Sequence, residues 1–80
     1  MNYLQHISQA MLAMGGQNSA EAEEHFKLAL EEARRIDPQG PREAEVLNYM
    51  ALFYETQGDQ IQAELAKKKA DEIFSKFQES

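Results

Sequence analysis

The sequence contains no cysteine, so neither a disulfide nor a thiolate metal site can brace it. No apolar run approaches the roughly 20 residues that a membrane-spanning helix needs. The first residues lack the charged start and long apolar stretch of a secretory signal, and a cytoplasmic location is the expectation. A glycine-rich phosphate loop is also missing, because Gly15-Gly16 follows a helical pattern and has no lysine beside it. Ser8, Ser19 and Ser75 have no positioned base nearby in sequence. These absences point to a chain that is not an enzyme and needs no cofactor.

Basic residues are scarce, with 8 Lys and Arg against 14 Asp and Glu and a net charge of −6. A polyanion is repelled on average, since phosphate binding needs clustered cations. The two basic clusters, Arg34-Arg35 and Lys67-Lys68-Lys69, fall late in predicted helices, where cations complement the helix dipole. Neither nucleic acid nor a membrane is therefore an expected partner. His25 with Glu21 forms a surface pair four residues apart, which is too few ligands for zinc. His6 reads as a groove-lining or surface residue.

What is present is helical periodicity. The 80 residues suit one small domain, and 42% hydrophobic with 28% charged residues fits an ordinary globular composition. The spacing predicts four helices, over about 2–14, 19–36, 41–57 and 60–77. Leu4, Ile7, Met11 and Met14 form the apolar stripe of the first, and Gly15-Gly16 stops it by supplying left-handed backbone angles. Asn18 caps the second, with Glu21 completing a capping box. Ala22, Phe26, Ala29, Ala33 and Ile36 line its core face, bordered by Leu30. The segment Asp37-Pro38-Gln39-Gly40-Pro41 holds both prolines of the chain and breaks the helical pattern.

The third helix is apolar on most sides, which suits a central position. Gly58 ends it and Asp59 caps the fourth, whose core stripe is Ala63, Ala66, Ala70, Ile73, Phe74 and Phe77. Leu4, Ile7, Met11 and Gly15 recur as Leu47, Met50, Tyr54 and Gly58, 43 positions on. Ala22 and Ala29 recur as Ala63 and Ala70, 41 positions on. The two offsets imply a first hairpin turn two residues longer than the second. One helical hairpin used twice is the reading, so the expected fold class is all-α: two stacked antiparallel hairpins, with units over about 2–37 and 41–77.

The stretch from Ala22 to Ala70 resembles the tetratricopeptide repeat family. The second unit carries most of the pattern, with Leu47, Met50-Ala51, Tyr54, Gly58-Asp59, Ala63 and Ala70. Ser8 stands where the first unit wants a small residue, and Lys67 stands where the second wants an aromatic. The long second helix and the proline-containing loop are similar to the longer variety found in kinesin light chains. The resemblance implies a protein-interaction adaptor whose first and third helices line a concave, peptide-binding face. Carried onto this chain, that face holds Asn2, Gln5, His6, Gln9 and Leu12 with Glu45, Asn48, Tyr49, Leu52, Glu55 and Thr56. It carries Glu45 and Glu55 and no Lys or Arg, so a neutral or basic peptide or protein segment is the expected partner.

The alternative expectation is self-association, or a fragment of a longer array, because such repeats usually need about three units. Ile61, Leu65, Ile73, Phe74 and Phe77 would then form a homodimer contact on the fourth helix. A plain four-helix bundle, with no concave face, is the remaining architecture.

Overall fold

A computed structural model describes residues 3–78, with side chains through Lys76; Asn2 and the Phe77 side chain lie outside the described residues. Four helices follow one another: α1 Tyr3–Gly15, α2 Ser19–Ile36, α3 Pro41–Thr56 and α4 Gln60–Gln78. The boundaries obey local chemistry. The Glu21 amide donates to Asn18 Oδ1 at 3.3 Å, and the Asn18 side-chain amide donates back to Glu21 Oε2 at 2.8 Å. Asp59 Oδ1 accepts from the Gln62 amide at 3.2 Å at the start of α4. Pro41 opens α3, where its missing N–H costs nothing.

The architecture is all-α and made of hairpins. α1 packs on α2 and α3 on α4, α2 joins the hairpins by packing on α3, and α1 touches α3. Among the described residues α1 and α4 do not meet, which excludes a closed four-helix bundle. The result is a slab with principal extents of 41 × 29 × 13 Å.

One core cluster joins Ile7, Ala10 and Ala13 of α1 to Ala22, Phe26, Ala29 and Ala33 of α2 and to Val46, Met50 and Phe53 of α3. The Phe26 and Phe53 rings meet at 5.5 Å across the two hairpins. Such a tilted pair contributes about 0.5–1.5 kcal/mol beyond its burial. A second cluster joins Ala44 and Leu47 of α3 to Ala70 and Ile73 of α4, and Leu30 of α2 packs against both clusters. The alanines let the helices of each hairpin approach closely, where a larger side chain would hold them apart.

The two hairpin turns correct the expected register. Both span three residues, 16–18 and 57–59, so the first is not longer. Asn18 N donates to Ala13 O and Gln17 N to Met14 O; Asp59 N donates to Tyr54 O and Gly58 N to Glu55 O. Each of these two bonds of the second turn is that of the first moved by 41 positions. The left-handed residue is Gln17, at φ 62°, where the second turn has Gly58 at φ 78°. Gly15 is instead the last helical residue of α1. α1 and α3 therefore end at equivalent places, Gly15 and Thr56, and the equivalence of α1 to α3 runs at 41, not 43.

Ala10 then matches Ala51 as the small residue at the close approach, a place the sequence suggested for Ser8. Correspondingly, α1 buries Ile7, Ala10 and Ala13, while Leu4 and Met11 remain 51% and 46% exposed. Leu4, Ile7, Met11 and Met14 are not one core stripe.

Candidate concave interaction face

The free side of α3 follows from its spacing. Glu43, Val46, Met50 and Phe53 turn inward, which leaves Pro41, Glu45, Asn48 and Leu52 on the opposite strip. Phe74 of α4 stands beside that strip. Together Pro41, Glu45, Asn48, Tyr49, Leu52 and Phe74 line an open cleft of about 440 Å³. Its lining is mostly apolar, with one amide and one carboxylate. Tyr49 also packs against the core cluster, which holds its ring in place.

The cleft brings together Glu45, Asn48, Tyr49 and Leu52 of the expected face. It also recruits Phe74, which the sequence assigned to self-association; its place at the margin of the α4 core stripe was the available signal. Glu55 has a different role. It forms an ion pair with Lys67 across the α3–α4 hairpin. The hydrogen bond and charge of Glu55 hold the Lys67 ammonium above its ordinary pKa against some desolvation. Glu55 is therefore not a free acid of the face, and Glu45 is left as the carboxylate at the cleft.

The register also reassigns α1. His6 is not a surface or groove residue: it is partly buried and its ring stacks on His25 of α2 at 6.2 Å, marking the side of α1 that faces α2. The Nδ1 atoms of both rings are sealed from solvent without a hydrogen-bond partner. The Nε2 of His25 lies 3.6 Å from Glu21, the expected neighbour. Tyr3, Ile7 and Met14, about 60–100° further round the helix, join the core cluster that α1 shares with α2 and α3.

Leu4, Ser8 and Met11 come next, on the side remote from α2. They are the counterparts, 41 positions back, of Glu45, Tyr49 and Leu52 on the α3 strip, and sequence reasoning missed them because the offset of 43 placed Leu4 and Met11 in the core. Gln5, Gln9 and Leu12 occupy the other flank. Their counterparts 41 positions on, Val46, Met50 and Phe53, are the α3 residues buried in the cluster shared with α2. Gln5, Gln9 and Leu12 thus lie on the end of the slab and not beside the cleft, and Leu12 is 73% exposed there.

The self-association set divides in the same way. Ile73 is 5% exposed and belongs to the second core cluster, because α4 turns it toward Ala44 and Leu47. Phe74 lines the cleft. Ile61 and Leu65 stand exposed on the outer side of α4, the side that also carries Lys68 and Glu72. The five residues do not form one contact patch.

Among the described residues no group of three or more His, Cys, Asp or Glu is placed to hold a metal ion. No described helix is long and apolar enough to cross a membrane. No family model matches the chain, and no curated protein and no solved structure matches it either.

Proposed function

We propose that this chain is a cytosolic, non-catalytic protein-interaction module, similar to a tetratricopeptide repeat adaptor. It holds a neutral or basic peptide or protein segment on the face built from α1 and α3. The observation that carries the reading is the cleft of about 440 Å³ between Leu52, Tyr49 and Phe74, with Glu45 and Asn48 at hand. Apolar side chains supply the contact area in such a site, and a few polar groups set orientation. Stacked hairpins whose turns share one hydrogen-bond pattern support the repeat-like part of the proposal.

A random peptide library displayed on phage tests it. Selection against the intact chain should enrich ligands that carry a large apolar residue, and Leu52→Glu should remove their binding. That position is half exposed, so far-UV circular dichroism should show an unchanged helix content. Failure to enrich any ligand, or enriched ligands indifferent to Leu52→Glu, would refute the proposal.

A further inference from the structure

We propose that the segment held on the concave face is an amphipathic α-helix with a basic residue at its edge, set against Glu45. This rests on the interaction-module reading above and names the ligand's conformation and charge.

Three observations lead there. The first is the scarcity of hydrogen-bonding groups on the face. The polar groups are few, Glu45, Asn48 and Tyr49 at the cleft and Ser8 on α1, and Leu4, Met11, Leu52 and Phe74 beside them are all exposed and carry no polar atom. An extended peptide laid over them would leave backbone N–H and C=O groups without partners as water is excluded, a cost of about 1–3 kcal/mol per group. A helix has already bonded its own backbone and can bury an apolar stripe at no such cost.

The second is spacing. One apolar spot lies at the cleft beside α3, and the other is formed by Leu4 and Met11 on α1. α1 touches α3, and helices in contact run about 8–10 Å apart. Residues i and i+7 of a helix are separated by about 10.5 Å on one face. Two anchors two turns apart therefore match the two spots.

The third is charge. Residues 1–20 contain no Asp, Glu, Lys or Arg, so the α1 half of the face is neutral. Glu55 is neutralised by Lys67. Glu45 is left as the carboxylate at the cleft, in a chain of net charge −6. A second copy of this acidic chain would be repelled, whereas a cationic helix is attracted and oriented.

The test uses two synthetic peptides of about 18 residues, identical in Leu and Lys composition and each with one Trp. In one, Leu recurs with helical period; in the other, Leu and Lys alternate as in a strand. The chain has no Trp, so peptide fluorescence reports binding directly. At about 0.15 M salt, where long-range attraction is screened, the helical-period peptide should bind at least about tenfold more tightly, with a rise in helical circular dichroism. Met11→Glu and Leu52→Glu should each weaken it at least about tenfold, and Glu45→Gln about threefold or more. Leu65→Glu, on the outer side of α4, should leave it unchanged.

Preferential binding of the alternating peptide, lost in Leu52→Glu, would overturn the helical ligand and leave the interaction module standing. Binding of neither peptide would also overturn the helical ligand, while ligands from the phage library would still uphold the module. Binding unaffected by both Met11→Glu and Leu52→Glu would overturn the two together.

Discussion

Removing one hydroxyl group should loosen the contact between the two hairpins while leaving each hairpin intact. The Tyr54 hydroxyl, on α3, donates to Glu23 Oε2 on α2 at 3.0 Å. Its ring rests against Phe53 at 5.3 Å, and Tyr54→Phe keeps that packing. A hydrogen bond to a charged acceptor contributes about 1.5–3 kcal/mol when well shielded. Tyr54 is only partly buried, so about 1–1.5 kcal/mol is the expected loss.

The same bond predicts an alkaline signature. Burial first, then the hydrogen bond to Glu23, then the charges of Glu23 and Asp59 push the Tyr54 phenol from 10.0 up to about 12. In the unfolded chain the proton leaves near pH 10. Between pH 10 and 12 the unfolded state therefore binds fewer protons than the folded one, and stability falls as pH rises. The full effect is present below pH 10. The interval from 10 to about 12 corresponds at 1.36 kcal/mol per decade to at most about 2.7 kcal/mol, which solvent screening of the partly exposed pair cuts to about 1–1.5 kcal/mol. Urea unfolding of the wild type and Tyr54→Phe, followed by circular dichroism from pH 7 to 12, measures the difference. Titration of the lysines is common to both proteins and cancels. The wild type should lead by about 1–1.5 kcal/mol at pH 7, and the lead should shrink between pH 10 and 12. Equal stability at pH 7, or a constant difference through the alkaline range, would refute the reasoning.

Glu43 should matter more than any other carboxylate. It is buried at the first turn of α3, accepts from Arg34 Nε at 3.1 Å and the Gln39 amide at 2.9 Å, and so ties down the loop between the hairpins. Glu43→Ala is expected to cost about 2–3 kcal/mol and to lower the midpoint of thermal unfolding by at least about 8 °C; a change under about 2 °C would contradict the assignment. The two turn glycines should respond with opposite sign. Gly15 is helical with open space where a Cβ would go, so Gly15→Ala should stabilise by about 0.5–1 kcal/mol. Gly58 sits at φ 78°, so Gly58→Ala should destabilise by about 1 kcal/mol. Unfolding midpoints in urea check both, and destabilisation by Gly15→Ala would restore the left-handed role that the sequence suggested for it.

Features that depend on neighbours in the chain were legible in the sequence. The Asn18 and Asp59 caps, the Pro41 start of α3 and the Gly58 stop all act within a few residues, and the helix ends fall within a residue of the expectation. Half of the candidate face was legible for the same reason: α3 is so apolar that Glu45, Asn48, Tyr49 and Leu52 could fall only on its free strip. α1 was different. It offers Leu4 and Met11 on one side and Ile7, Ala10 and Ala13 on another, and helical spacing alone favours the larger side chains. Ile73, which the spacing placed on the α4 core stripe as well as in a dimer contact, is in the core with Ala44, Leu47 and Ala70.

The sequence by itself determined four helices and the Asn18 and Asp59 caps, because hydrogen bonding and periodicity within a segment are local. Tertiary structure decided which side of α1 is core and which is free, because that depends on what lies opposite. Ala10 is buried since α2 comes close enough to need it small. Leu4 and Met11 remain in solvent since, among the described residues, no other helix covers that side of α1. The pairing of Glu55 with Lys67, which leaves Glu45 as the cleft carboxylate, likewise required α4 to fold back along α3.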